Sequence, residues 1–259
     1  MISLKKYFQE VKSVLGLSLI LAKTNFKLRN EGSYLGILWY LLEPLCFFGI
    51  ILLIGGVINQ NPVRYYPLYL FLGLIMFNFF MSTTINALKS ITSNAGIIKS
   101  MKIDYKSLVM SGVFQFVFSH ILEMVIFLMF MIYFGANFVN LIFYLPIFLF
   151  FLLFILGLSF LLATLGVYIS DFSNVWSVLT RLLWFLTPIF YVMPPNSLFQ
   201  KISYINPLFH FINISREIII YNRIPGIHVL FLMVFFSILS LFFGLFVFQK
   251  YKSKFPEMV

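Results

Sequence analysis

Apolar stretches long enough to cross a bilayer alternate with short polar loops along most of this chain of 259 residues. A helix needs about 20 consecutive apolar residues to cross the hydrocarbon core. Six stretches reach or nearly reach that length, and they lie at residues 34–58, 66–88, 107–134, 141–169, 174–192 and 226–248. The pattern therefore predicts an all-α integral membrane protein in which residues 34–259 form a domain of six transmembrane helices.

The amino-terminal part, residues 1–33, has a different pattern. From Leu4 to Phe26, apolar residues recur at spacings of three and four, and the lysines lie largely off that stripe. Its longest apolar run, residues 14–22, is too short to span a bilayer. A basic amphipathic helix of this kind usually lies in the plane of the membrane interface. We expect a cytoplasmic interfacial helix that anchors the chain and that a cytoplasmic partner could also contact.

Composition supports a membrane protein, and the charges predict its orientation. Hydrophobic residues make up 61% of the chain and charged residues 10%, against roughly 25% charged residues in soluble domains. Most cations precede the first span, lie in the loop before the third span or follow the last span: Lys5, Lys6, Lys12, Lys23, Lys27, Arg29, Lys89, Lys99, Lys102, Lys106, Lys250, Lys252 and Lys254. The positive-inside rule then predicts a multi-pass protein of the cytoplasmic (inner) membrane with both termini in the cytoplasm. Since these cations sit at membrane edges, the net charge of +10 does not indicate nucleic-acid binding.

The stretch after the fifth span is broken by prolines. Residues 187–195 read TPIFYVMPP, and Asn206-Pro207 follows a short amphipathic segment. Irregular backbone at membrane depth occurs only where protein or a water-filled path covers it. We therefore expect residues 193–224 to re-enter the membrane and to line or cap a conduit.

Ionisable residues within spans are costly and are candidates for function. Glu43 and Arg181 both lie roughly 14–15 Å from the cytoplasmic edge, from a rise of 1.5 Å per residue. Their equal depth and opposite charge predict an ion pair, which would either pin the first and fifth spans together or line a path. His120 and Glu123 are one helical turn apart and could partner each other or Arg181.

No constellation of catalytic residues is evident in the sequence. A Walker lysine loop, metal-ligand spacings and a solvent-accessible Ser-His-Asp set are all missing, and Cys46 is the single cysteine. We expect no metal and no enzymatic activity in this chain, so uphill transport would need an ion gradient or an energy-supplying partner. The basic loop 89–106 also contains apolar residues, which suggests a short helix that docks a cytoplasmic partner or packs on the bundle.

Three ordered stretches resemble the permeases of type-2 ABC exporters for bacterial surface polysaccharides, the family that exports O-antigen, teichoic acid and capsule. The first runs from Lys27 to Leu45 and contains LGILW and LEPL; the second includes YLFLGL and SNAGIIK, within residues 69–99. The third runs from Asp171 through TPIFY and Asn206-Pro207-Leu208 to Arg216. The resemblance implies a homodimer, two short re-entrant helices between spans five and six, and a separate cytoplasmic subunit that binds ATP and Mg.

The resemblance also implies roles for aromatic and loop residues. Flat rings can hold a sliding glycan by stacking, as they hold single-stranded nucleic acids. The candidates for this path are Trp39, Tyr40, Phe77, Phe80, Trp184, Phe185 and Tyr191, with ordinary packing as the alternative for each. The candidates for coupling to the ATPase are Phe8, Leu15, Ile97, Ile98, Lys99 and Lys102. The predicted function is export of a lipid-linked polysaccharide; the alternatives are a type-2 ABC exporter of a small lipid or drug, a gradient-driven transporter, or a membrane enzyme acting on lipid-linked sugars.

Overall fold

The computed structural model describes residues 2–31, 34, 36–58, 64–100, 103–193 and 197–258, and the regular elements in these ranges are all helical. The predicted all-α class is thereby confirmed. The α-helices are α1 (Ile2–Asn30), α2 (Trp39–Ile58), α3 (Tyr66–Lys89), α4 (Ala95–Ser100), α5 (Tyr105–Tyr133), α6 (Tyr144–Tyr168), α7 (Phe172–Leu186), α8 (Leu198–Ile205), α9 (Pro207–Ser215), α10 (Ile227–Tyr251) and α11 (Phe255–Met258). A π-helix, Arg216–Ile220, continues directly from α9.

Four helical stretches in the described ranges are long and apolar enough to cross a membrane, namely Tyr66–Lys89, Tyr105–Tyr133, Phe138–Tyr168 and Ile227–Met258. They match the second, third, fourth and sixth predicted spans. The first predicted span contains α2, which begins at Trp39 and whose apolar part, Leu41–Ile54, is shorter. A total of six spans therefore stays a prediction.

The fifth predicted span ends earlier than its apolar pattern suggested. The pattern continues to Val192, but α7 has 15 residues and ends at Leu186, which gives it a length of about 22 Å. Thr187 has extended backbone angles, φ −97° and ψ 126°. A residue before proline is disfavoured in helical geometry, and Pro188 itself has no N–H for the helix.

Helix α3 lies at the centre of the fold and is buried on all sides over residues 68–77. It packs against α5, α6, α7 and α9. A helix can be buried all round only if it is apolar all round, and YPLYLFLGLIMF meets that requirement. Because α3 is central, its side chains can contact residues of several other helices.

Helices α6 and α10 approach so closely that their backbones touch. A Cβ atom at Gly157 would collide with the backbone of Ser240, and one at Gly244 would collide with the carbonyl of Gly157. The Ser240 hydroxyl donates to the Phe154 carbonyl across the same contact, at 2.8 Å. Small residues on the fourth predicted span thus form a close-packing face.

Helix α1 packs lengthwise along the first half of α5. The Ser107 hydroxyl lies 3.4 Å from the Val14 carbonyl, and twelve residues further along α1 the rings of Phe26 and Phe118 are 5.7 Å apart. The nearly equal advance, twelve residues on α1 and eleven on α5, means that the two helices run side by side in the same direction. The sequence did not predict this packing, because an amphipathic pattern indicates only that a helix lies in the membrane interface.

Candidate functional site

The chain leaves α7 through an irregular segment, residues 187–193, which we call the TPIFYVM segment. Its first three residues, Thr187, Pro188 and Ile189, are buried. Buried backbone carbonyls need hydrogen-bond partners, and in a membrane water is not available to supply them. The groups that satisfy these carbonyls define the candidate site.

Arg216 supplies most of the donors. It begins the π-helix after α9, and its side chain is 1% exposed. Nη1 donates to the Pro188 carbonyl at 2.6 Å, Nη2 to the Ile189 carbonyl at 2.8 Å, and Nε to the Tyr69 carbonyl at 3.1 Å. The buried guanidinium is thus stabilised by oriented carbonyl dipoles, and it forms no ion pair with a carboxylate in the described part of the chain.

Two tyrosines of α3 complete this arrangement. The Tyr69 ring lies under the guanidinium, with Cζ of Arg216 3.4 Å from the ring centroid, in cation–π geometry. The Tyr69 hydroxyl lies 3.2 Å from the Pro188 carbonyl and 3.1 Å from the Tyr191 carbonyl. Tyr66 donates to the Phe190 carbonyl at 2.7 Å. We call Tyr66, Tyr69 and Arg216 the carbonyl clamp.

The clamp needs a glycine beside it on α3. A Cβ atom at Gly73, one turn beyond Tyr69, would lie 3.2 Å from Cζ of Arg216 and closer still to Nη2. Glycine therefore leaves the volume that the guanidinium occupies. Here the YLFLGL stretch has a direct structural explanation.

A second set of bonds joins the TPIFYVM segment to the short helices that follow it. The Asn206 amide donates to the Thr187 hydroxyl at 2.8 Å, and the Ser203 hydroxyl donates to the Leu186 carbonyl at 3.2 Å. The Asn206 side-chain oxygen also accepts from the Leu208 N–H at 3.0 Å and so caps α9. Helices α8 and α9 have 8 and 9 residues, and a pair of short helices at this place is what the resemblance implied.

Beyond the π-helix, Tyr221 ties the site to the loop before α3. Its hydroxyl donates to the Arg64 carbonyl at 3.3 Å. Burial raises the pKa of Tyr221 to about 12, so the phenol keeps its proton and its donor role at neutral pH. The clamp thus braces α3, the end of α7 and the α8–α9 pair as one unit.

A separate polar cluster lies where α5 meets the start of α6. Nδ1 of His120 is 3.0 Å from Glu123 Oε2, and Nε2 of His120 is 2.6 Å from the Tyr144 hydroxyl. The prediction that His120 and Glu123 could partner each other is confirmed. They line a small cavity of about 80 Å³ together with Glu43 and Arg29.

The predicted ion pair between Glu43 and Arg181 is not formed. Both side chains are described and exposed, and neither forms an ion pair within the described part of the chain. Glu43 instead faces the His120–Glu123 cavity. Depth could be read from the sequence, but the direction in which each helix presents its side chains could not.

The predicted path aromatics differ in their exposure. Phe77 and Phe80 are 0% and 1% exposed and pack inside the subunit, so they present no surface to a path here. Trp39 and Phe185 are 54% and 62% exposed. Trp184 packs between Phe47 of α2, at 5.9 Å, and Phe190, at 4.9 Å between ring centroids.

The remaining two aromatic candidates differ in what can be said of them. The Tyr191 hydroxyl donates to the Phe185 carbonyl at 2.7 Å, so this residue helps to close the TPIFYVM segment on α7. The Tyr40 side chain lies outside the described residues.

The predicted coupling residues lie at the α4 end of the molecule as far as they are described. Ile97 and Lys99 of α4 are exposed, whereas Ile98 packs against a cluster that includes Phe255. Leu15 lies on an exposed part of α1. Lys102 and the side chain of Phe8 lie outside the described residues.

The described residues contain no group of three or more His, Cys, Asp or Glu side chains placed to hold a metal ion. The arrangement in the clamp likewise offers no nucleophile beside a base. The role of the clamp is structural, since its side chains donate hydrogen bonds to the backbone carbonyls of an irregular segment. In the sequence, Arg216 and Tyr69 stand out only as parts of motifs. The signal that marks Arg216 is a cation within the apolar stretch PLFHFINISREIII.

Comparison with known proteins identifies the family. Residues 17–220 match the family described as ABC-2 type transporter. An O-antigen export system permease protein RfbA of Klebsiella pneumoniae is 26% identical over 247 residues, which cover 94% of this chain and 95% of that protein. A protein of the same name from Myxococcus xanthus is 22% identical over 255 residues, which cover 97% of this chain and 98% of the relative. Because the family match covers most of the chain and the helices agree with it, this protein belongs to the ABC-2 type transporter family of multi-pass membrane transport proteins.

Proposed function

We propose that this chain is the permease subunit of an ATP-driven exporter that moves a lipid-linked polysaccharide, of the O-antigen, teichoic-acid or capsule kind, across the cytoplasmic membrane. The observation that carries the proposal is the extent of similarity to O-antigen export permeases, which covers 95% and 98% of the two relatives. A match of that extent covers nearly the whole length of the relatives and not only a part of them.

The surface shared by α2 and α7 supports a transport path. We call it the α2–α7 face, and it consists of exposed side chains on two helices that meet through Phe47 and Trp184. Its exposed members include Trp39, Leu42, Phe47, Ile50, Val178, Leu182 and Phe185. Arg181 is exposed on α7, between Val178 and Phe185. The α2–α7 face therefore combines flat apolar rings with the charged group of Arg181.

This mixture suits a sugar polymer. Sugar rings have apolar C–H faces that stack on aromatic rings, while their hydroxyls need polar neighbours. Stacking depends little on register, so a polymer can slide along Trp39 and Phe185 without being trapped at one position. Phe77 and Phe80 are buried and take no part in this proposal.

A second copy of the chain would cover the α2–α7 face. Large exposed apolar patches on proteins mark interaction sites, and oligomers with two-fold symmetry bury the same patch on both subunits. The path would then run between two α2–α7 faces, and each carbonyl clamp would hold the TPIFYVM segment and the α8–α9 pair at its end.

The energy would come from a separate cytoplasmic subunit that binds ATP and Mg. Helix α4 connects α3 and α5 and exposes Ile97 and Lys99, so it offers a contact for such a subunit. Both termini would lie in the cytoplasm, in keeping with the distribution of cations.

Proteoliposomes containing this chain and its ATP-binding subunit test the proposal. Addition of a lipid-linked polysaccharide should stimulate ATP hydrolysis, and the polymer should become protected inside inverted vesicles. A matched lipid without the polymer is the control. Equal stimulation by the control lipid would favour export of small lipids, and movement driven by a proton gradient without ATP would contradict the proposal.

Coupling is tested by changing Lys99 to Ala. We expect ATP hydrolysis to persist while polysaccharide export falls by about tenfold, because the contact that transmits ATP-driven movement is weakened. Lys89→Ala, which removes an exposed cation of the same basic loop outside α4, is the matched control. Export by Lys99→Ala equal to that of the control would remove α4 from the coupling route.

A further inference from the structure

A groove to which α7 contributes no residue has features of a lipid site. It has a volume of about 390 Å³ and lies between α1, α5, α6 and α10. Its walls are mainly aliphatic and aromatic side chains, and the lining includes Leu15, Met110, Phe114, Leu156, Phe160 and Leu245. Neither α2 nor α7 contributes a lining residue, so the groove is separate from the proposed path.

The groove has one polar end. Lys106 in the first turn of α5 and Gln249 in the last turns of α10 both line it. Met110 and Phe114 follow Lys106 at intervals of four residues on α5, which carries the lining about 12 Å deeper along the helix. An elongated apolar groove with a cation at its mouth matches a molecule with one apolar tail and an anionic head.

Lys106 is available to such a head group. Its side chain is half-buried, and it forms no ion pair within the described part of the chain. The nearby carboxylate of Asp104 accepts from the backbone N–H of Lys106 at 2.9 Å and caps α5. The Lys106 ammonium can therefore pair with an external anion.

We propose that this groove binds an anionic phospholipid of the surrounding bilayer, with one acyl chain against α5, α6 and α10 and the phosphate on Lys106. Charge complementarity at the mouth and apolar contact along the groove favour this occupant. The separation from the α2–α7 face argues against the lipid tail of the cargo. Since Val11, Val14 and Leu15 of α1 also line the groove, the lipid would join α1 to the helix bundle.

Native mass spectrometry of the detergent-purified chain tests the site. Titration with phosphatidylglycerol should show a bound lipid whose affinity falls about fivefold in Lys106→Gln, the effect expected for loss of one lysine–lipid interaction. Phosphatidylcholine binding should change little. Lys89→Gln, which removes a cation at the same end of the molecule but outside the groove, should bind like the wild type.

Met110→Trp provides a second test, because it fills the apolar part and leaves Lys106 in place. It should reduce phosphatidylglycerol binding while its unfolding temperature stays close to that of the wild type. Unchanged affinity in both variants would overturn the proposal. Displacement of the lipid by millimolar inorganic phosphate would show a simple anion site, and displacement by a polyprenyl phosphate would assign the groove to cargo; either result would also overturn it.

Discussion

Replacement of Arg216 tests whether the carbonyl clamp holds the broken segment. Arg216→Met keeps an unbranched apolar stem and removes the donors to Tyr69, Pro188 and Ile189. The three carbonyls differ in the hydrogen bonds that they keep after this change. Pro188 keeps the Tyr69 hydroxyl at 3.2 Å, and the Tyr69 carbonyl lies inside α3, where helix geometry supplies a donor. The Ile189 carbonyl loses the Nη2 donor at 2.8 Å.

These differences determine the expected decrease in the free energy of unfolding. An orphaned buried carbonyl costs about 1–3 kcal/mol, and each of the other two lost hydrogen bonds about 0.5–1.5 kcal/mol net. The sum is about 2–6 kcal/mol, which in a domain of this size corresponds to a fall in melting temperature of roughly 4–24 °C. Arg216→Lys keeps the charge but loses the planar fork and the ring contact, so it should fall between Arg216→Met and the wild type.

Thermal unfolding of the purified protein in detergent measures the effect. Arg223→Met is the matched control, because Arg223 is exposed and lies close in the chain. A melting temperature of Arg216→Met within 2 °C of this control would refute the reasoning. Such a result would mean that the TPIFYVM segment does not depend on its buried donors.

Two further predictions concern packing and the path. Gly157→Leu should destabilise the protein by about 3 kcal/mol through overpacking against the Ser240 backbone, whereas Gly16→Leu, where a Cβ meets nothing within 4 Å, should unfold like the wild type; equal melting temperatures would contradict the close contact. Phe185→Ala should lower polysaccharide export several-fold with a stability change within about 0.5 kcal/mol, because this ring is exposed. Phe80→Ala should instead cost about 3–5 kcal/mol, and a matching loss of stability in both variants would show that Phe185 only packs.

Properties that follow from local pattern could be predicted from the sequence. The all-α class, the four long apolar helices and the small-residue contact of α6 all follow from hydropathy and residue size. The partnership of His120 and Glu123 could also be foreseen, because residues three apart on a helix share a face.

Properties that depend on rotation or on distant pairing could not be read in the same way. Glu43 and Arg181 have similar predicted depths, yet their helices present them to different surroundings. Arg216 contacts Tyr69, which lies 147 positions away in the chain. The periodicity of the sequence does not indicate which distant residues come into contact. The end of α7 was misplaced for a simpler reason, since apolar residues continue after Thr187 although the helix does not.

The backbone contact between α6 and α10 has a consequence for how the subunit can move. The two helices cannot slide past each other easily, because backbone carbonyls and glycine Cα atoms are already in contact between them. Separating the helices would expose backbone rather than side chains. We therefore expect α6 and α10 to move together as one rigid unit within the subunit. Displacements during a working cycle must be concentrated in elements that meet their neighbours through longer, pliable side chains, as α2 does where Phe47 meets Trp184.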